Sequence, residues 1–265
     1  MQSVRSFVLA LVSISLCLHP VPVDAAPGEF AGAVVHYEPG AGVSPRFAHP
    51  EAALGAPSAV NPFGEPVDPF NPPYGTNQIV SIGAGGSLVV AFATPILNHP
   101  LNPHGLDFVI HGNAGFIITN EFDPVNFAWI GEPATDGSMF GVNDGETRVS
   151  VSRDGRTFYV LDPDRAPTVD GPWPTDGAGG VGVATPPGLT PDDFAGATLG
   201  DMRRWYAGAA GGTAYDLGWA VDGAGRSVVL PAVHFVRIDV VSGRCEVDAF
   251  AVVRRVPGPG GGRRR

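Results

Sequence analysis

The stretch GLDFVIHGNAG (105–115) brings Asp107, His111 and Asn113 close together, the side-chain types that ligate metals or relay protons. In a chemical role, Asp107 or Asn113 supplies an oxygen ligand at a strand end, with His111 beside it. The competing reading is structural. Asp107 accepts backbone N–H groups at the strand start, and Asn113-Ala114-Gly115 turns the chain, as Asn and Gly favour. The structural reading is preferred here, because the surrounding sequence supplies no partner chemistry. No two His stand at the i, i+4 spacing of a helical zinc motif. His99 and His104 fall in the Asn/Pro-rich loop NHPLNPHG (98–105). Ser87 in GGSLV lacks the second glycine of a nucleophile elbow. Cys245, between Arg244 and Glu246, reads as a plain thiol. Two carboxylates for glycoside hydrolysis can meet from distant strands, but no pair stands out. The expectation is a protein that is not an enzyme.

Calcium is the cofactor the sequence admits, since it takes carboxylates together with backbone carbonyls from irregular loops. One place is HPEAALGAP (49–57), where Glu51 and the carbonyl of Leu54 could meet Glu246 or Asp248 from the last strand. A second is DPDRAPTVDGPWPTDG (162–177), with Asp162, Asp164, Asp170 and Asp176, whose spacing is not that of an EF-hand. Asp216 in GGTAYDLGWAVD (211–222) is expected to bond the amides of the Gly211-Gly212-Thr213 turn. Aromatic candidates for stacking on a ligand are Trp173, Tyr74 and Phe70, with Trp129 and Trp205 also weighed. Trp173, between Pro172 and Pro174 in a long loop, is expected to be the most exposed. Trp205 and Trp219 are expected in the core.

The elements that must position these residues are short and numerous. AVVHY (33–37), QIVSIG (78–83), SLVVAF (87–92), LDFVIHG (106–112), TRVSVS (147–152), TFYVLD (157–162), RSVVLP (226–231), HFVRIDVV (234–241) and EVDAFAVV (246–253) carry β-branched or aromatic residues with partial alternation. Asp154-Gly155 reads as a two-residue hairpin turn, and GAGGS (83–87) as a second hairpin connection. Helix is limited to TPDDFAG (190–196), with Thr190 as its cap, and LGDMRRWYAG (199–208). Gly (37) and Pro (27) make up about a quarter of the chain, without a period. The pattern predicts an all-β antiparallel sandwich with long irregular loops, the longest at about 162–190.

Residues 7–18, FVLALVSISLCL, follow Arg5 and precede Val23 and Ala25 at the −3 and −1 positions of a cleavage site. This predicts a signal peptide over 1–25. Cys17 leaves with it, so Cys245 would have no intramolecular partner and the core must hold the fold. A single domain is expected over 26–256, followed by a disordered Gly/Pro/Arg tail at 257–265. No other stretch approaches the roughly 18 apolar residues of a membrane span. The net charge of −10 argues against nucleic acid as partner. All 16 basic residues are Arg.

The ordered set LGAP (54–57), IVSIGAGGSLVVAFATPI (79–96), LDFVIHGNAGF (106–116), VSVSRDGRTFYVL (149–161), YAGAAGGTAYDLGWA (206–220) and HFVRIDVVSGRCEVDAFAVV (234–253) resembles secreted bacterial β-sandwich surface proteins, which often bear a PEP-CTERM-type sorting tail. The ending is similar to the last strands of discoidin-like, galactose-binding-type jelly rolls. Here VPGPGGGRRR (256–265) has the first and last parts of such a tail but no apolar helix between them. The resemblance implies a jelly-roll fold and an extracellular or cell-surface address, with no established activity. It also places a structural calcium between the loop after the first strand and an acid near the last, with the first strand beside the last. The expected function is a noncatalytic carbohydrate- or ligand-binding module, a monomer with a polysaccharide or cell-envelope glycan as partner. A structural or adhesive surface protein is the alternative, and a secreted hydrolase the third.

Overall fold

Alternating apolar residues dictate the strands, because successive side chains of an extended chain point to opposite faces. The computed structural model describes residues 28–171 and 173–254. The expected signal peptide with Cys17, the start of the domain at 26, Pro172 and the tail at 257–265 lie outside them. The strands are β1 (Ala33–Glu38), β2 (Val80–Gly83), β3 (Ser87–Leu97), β4 (Phe108–Gly112), β5 (Gly115–Phe116), β6 (Phe122–Asp123) and β7 (Ala128–Trp129). They continue with β8 (Met139–Phe140), β9 (Thr147–Ser152), β10 (Phe158–Leu161), β11 (Thr213–Tyr215), β12 (Ala220–Val221), β13 (Ala232–Val240) and β14 (Arg244–Val252). One α-helix, α1 (Leu199–Trp205), is capped by Thr198, with Asp201 completing the box. Thr190 and Asp193 form the same box on the short 3-10 turn Pro191–Phe194.

Two antiparallel sheets carry the fold, in the orders β1-β3-β13-β9-β10-β12 and β11-β4-β14-β2. Their facing sides meet in one apolar core. Val90, Val151, Val236 and Ile238 come from the larger sheet, and Ile82, Phe108, Ile110, Tyr215, Val247 and Phe250 from the smaller. The protein is therefore an all-β sandwich, as the strand pattern predicts. The rings of Phe108 and Tyr215 stack at 5.2 Å between centroids. On β4 the alternation holds: Phe108 and Ile110 enter this core, whereas Val109 packs with Leu106, Ala184 and Val253 in a separate cluster.

Several local expectations need correction. RSVVLP (226–231) is not a strand: only Ser227 makes an isolated bridge, to Val221, and Val229 is exposed. Pro231, which has no N–H to donate, stands just before β13 begins. GAGGS does not join paired strands. β2 lies in the small sheet and β3 in the large one, so the connection crosses the sandwich. Asp154-Gly155 does lie in a hairpin, β9–β10, but Ser152 pairs with Phe158, leaving five residues in the loop instead of two. Asp154 Oδ1 accepts from the amides of Arg156 and Thr157, and Gly155 adopts φ 69°. This Asp-led turn is longer because it satisfies its own amides. AVVHY does not pair with the last strand. β1 pairs with β3, and the residues just before it reach β14 instead: Phe30 bridges Ala251, and Ala31 N–H donates to Phe250 O. Asn113-Ala114-Gly115 is no turn, since Gly115 already opens β5.

Candidate functional site: a cleft with two tryptophans

Where the small sheet's edge strand β11 leads across to β12 at the edge of the large sheet, the chain makes a short 3-10 turn, Leu217–Trp219. Asp216 caps it by accepting from Gly218 N–H at 2.6 Å. It does not reach the Gly211-Gly212-Thr213 amides expected of it, because a cap two residues ahead is closer than a turn behind the strand. Leu217 N–H donates to Asp107 Oδ2 at 2.9 Å. Asp107 is fully buried and also accepts from His99 N–H and Asn102 Nδ2. Burial raises its pKa, and these hydrogen bonds oppose the rise. The expected structural role of Asp107 is thus what its hydrogen bonds show: it fixes the strand start and, through Leu217, the turn that bears Trp219.

Trp173 arrives from the other side, on the long irregular segment. Its carbonyl accepts from Gly212 N–H at 2.8 Å, and the next carbonyl, Pro174 O, accepts from the buried Tyr206 hydroxyl at 2.9 Å. Close approach here needs glycine. Gly211 has φ 71°, and a Cβ on it would stand 2.1 Å from Pro174 O. Between these walls lies a cleft of about 370 Å³, lined among others by Trp173, Trp219, Arg165, Asp216, His104 and Thr185. The Arg165 guanidinium lies over the Trp219 ring, 5.4 Å from its centroid. Its backbone is fixed in a turn, where Arg165 N–H donates to Asp162 O. Trp173 Nε1 and Thr185 Oγ1 are enclosed and have no hydrogen-bond partner among the described residues. An unmade buried hydrogen bond costs about 1–3 kcal/mol.

Below the cleft floor, Gly212 covers His111, and a Cβ on it would come 2.9 Å from His111 Nδ1. His111 is fully buried with neither ring nitrogen hydrogen-bonded among the described residues. Desolvation pushes its pKa down to about 4, so it is neutral at ordinary pH. Among the described residues no carboxylate bonds it, and it is not part of the cleft lining.

The remaining expected residues are dispersed. Tyr74 is exposed near Phe63, with ring centroids 6.0 Å apart. Phe70 packs on the cluster formed by Phe116, Phe194 and Met202. Neither lines the two-tryptophan cleft. Trp173 does, but half-buried instead of projecting, because the Gly212 and Tyr206 contacts hold its backbone against the body of the protein. Trp219, expected in the core, packs against it but is only half-buried, and it also lines the same cleft. Trp205 is half-buried against Phe194, and Trp129 is exposed beside Phe122. Arg165 carries no local sequence signal, because its partner Trp219 lies far along the chain.

The acidic side chains expected at the calcium positions do not gather at one point among the described residues. Asp248 is the extra residue of a bulge in β14 and is buried, with both oxygens accepting from Ser58, one from N–H and one from Oγ, each at 2.8 Å. Burial raises its pKa to about 7. Glu51 is exposed on the turn Pro50–Ala53, and Leu54 donates its N–H to Glu51 O. Glu246 accepts instead from Ser81 Oγ and Asn113 Nδ2, each at 2.5 Å. In the second place, Asp162 accepts from Asp164 N–H, Asp170 from Ala114 and Glu246 N–H, and Asp176 from Arg203. Among the described residues, no three or more His, Cys, Asp or Glu gather in a way that could hold a metal ion. Cys245 is fully buried, and burial raises its pKa well above the usual thiol value.

A second, more open cleft of about 470 Å³ lies by Asp144, Arg244 and Glu246 and has no aromatic wall. No protein-family model matches the chain. No curated protein matches it significantly either.

Proposed function

We propose that this protein is a noncatalytic saccharide-binding β-sandwich module acting outside the cell, its ligand seated in the cleft between Trp173 and Trp219. The observation that carries this is the lining itself: two tryptophans and a carboxylate with an oxygen to spare. Sugars combine apolar C–H faces with rings of hydroxyls, so aromatic walls with a few convergent polar groups suit them. Asp216 is the single carboxylate lining the cleft among the described residues. Hydrolysis of a glycosidic bond normally uses two, which supports binding without turnover. The expected leader supports the extracellular address.

The test is titration of the purified protein with a panel of neutral and acidic oligosaccharides, beside Trp173→Ala and Trp219→Ala. We expect each variant to weaken binding about tenfold or more, equal to about 1.4 kcal/mol, with melting curves showing that it remains folded. Absence of binding to every saccharide, or binding indifferent to both tryptophans, rejects the proposal. One observation favours the adhesive alternative. The β6–β7 hairpin and its flanks expose Phe122, Val125, Phe127 and Trp129, an apolar set more typical of a contact surface than of free solvent. Retention on cell-envelope material, undiminished by the cleft variants but lost on Phe127→Ser, would select it.

A further inference from the structure

We infer that the saccharide taken by this cleft is an acidic one, a uronic-acid unit whose carboxylate meets the Arg165 guanidinium. The inference rests on the saccharide-binding reading and narrows it to a chemical class.

The starting point is how this chain treats its arginines. Seven of those described pair with a carboxylate, among them Arg203 with Asp176, Arg226 with Asp222 and Arg237 with Asp239. With acidic residues in excess, 26 against 16, such pairing is the default. Arg46, Arg153, Arg156 and Arg165 are without such a pair among the described residues, and of these four Arg165 is the one that lines the cleft. Its guanidinium lies over Trp219 on the cleft wall.

Two carboxylates belong to its surroundings, and neither forms an ion pair with it among the described residues. Asp216, the carboxylate of the cleft, gives one oxygen to Gly218 N–H. Asp162, three residues before Arg165, accepts from Asp164 N–H. The cation is thus oriented by the indole face and left without a counter-ion. A guanidinium held over an aromatic face still has N–H groups to take a carboxylate by two parallel hydrogen bonds. The remaining lining fits the rest of such a sugar. Trp173 and Trp219 offer apolar faces to its ring, and the free oxygen of Asp216 accepts from a hydroxyl. A neutral sugar would use the walls and leave Arg165 idle. The protein's net charge of −10 repels anions at long range, so a local cation in the cleft confers selectivity rather than general attraction.

The experiment titrates the full chain with an oligogalacturonate, with the same oligosaccharide after reduction of its carboxyl groups, and with a sulfated oligosaccharide. Wild type and Arg165→Gln are compared. The wild type is expected to bind the carboxylate form about tenfold or more tightly than the reduced form. In Arg165→Gln that ratio is expected to fall close to one, and raised salt should shrink it in the wild type. Equal binding of the two forms by wild type, or an unchanged ratio in the variant, overturns the inference. If binding is still lost in Trp173→Ala, the saccharide-binding reading survives that result. Preference for the sulfated ligand over the uronate also overturns the assignment to carboxylate. Failure of all three ligands to bind, while a neutral oligosaccharide of the panel does, rejects the acidic class and leaves the cleft reading standing.

Discussion

The space between the two sheets and the irregular segment at 162–190 are built on opposite principles. The first is filled by alternate side chains of long strands, such as Val90, Ile110, Val236 and Phe250, and needs no individual hydrogen bond between side chains. The second has no strand or helix of its own before the turn at Pro191, and single polar groups hold it. Asp170, at φ 59°, reaches Ala114 and Glu246 amides at 2.9 and 3.2 Å; Thr175 Oγ1 reaches Gly112 O; Asp176 takes two bonds from Arg203. The difference teaches where function can lie. Apolar packing tolerates no open space, whereas a segment pinned at separate points leaves gaps between the pins, and the cleft with Trp173 and Arg165 is such a gap.

Breaking the apolar side should have the largest effect. Phe250→Ala removes a fully buried ring between the sheets and is expected to cost about 3–5 kcal/mol in urea melts. A cost near zero would mean that the sheets do not pack as described.

The pinned segment should show itself through pH. Burial raises the Asp170 carboxyl from 3.8 to about 7, a shift its backbone hydrogen bonds oppose. The folded state therefore holds this proton longer than the unfolded chain does. The contribution to stability is complete below about pH 4 and is lost as pH rises through about 7, at up to roughly 1.4 kcal/mol per pH unit. Asp248, also raised to about 7, acts in the same sense. His111 acts in the opposite one: with its pKa lowered to about 4, stability is lost as pH falls from 6.5 towards 4. Asp170→Asn should flatten the decline between about pH 4 and 7. An unaltered slope, measured by melts at several pH values, would show that the carboxyl titrates normally.

A smaller effect is expected at the hairpin of the large sheet, remote from the segment. Gly155→Val forces a β-branched residue into φ 69°, with its Cβ 3.1 Å from the Phe235 ring. A loss of about 1 kcal/mol is expected. If stability is unchanged, the loop has another conformation. The smallest effect should come from calcium. Melting curves with calcium and with chelator are expected to coincide, because Ser58 already occupies both oxygens of Asp248. A stabilising shift that Asp248→Asn abolishes would place an ion there after all.

What the sequence determined by itself is the set of features written in neighbouring residues. Alternation marked β1, β4, β9 and most of β13 and β14, since the two-residue period of an extended chain is a local property. The cap Thr190 and the left-handed Gly155 were legible for the same reason, whereas the cap Thr198 came to light only in the structure. Asp107 as a strand-start acceptor was legible because it sits one residue before β4. RSVVLP misled because β-branched composition says nothing about whether a partner edge is within reach. Trp219, by its composition, belonged in the core, and Trp173 on an exposed loop. Only the tertiary structure brought them to one cleft and laid Arg165 on Trp219, across more than fifty residues of chain. Such meetings depend on which sheet each strand joins and on how the connection from β11 to β12 crosses between them. A side chain's own neighbours in sequence carry no record of that choice.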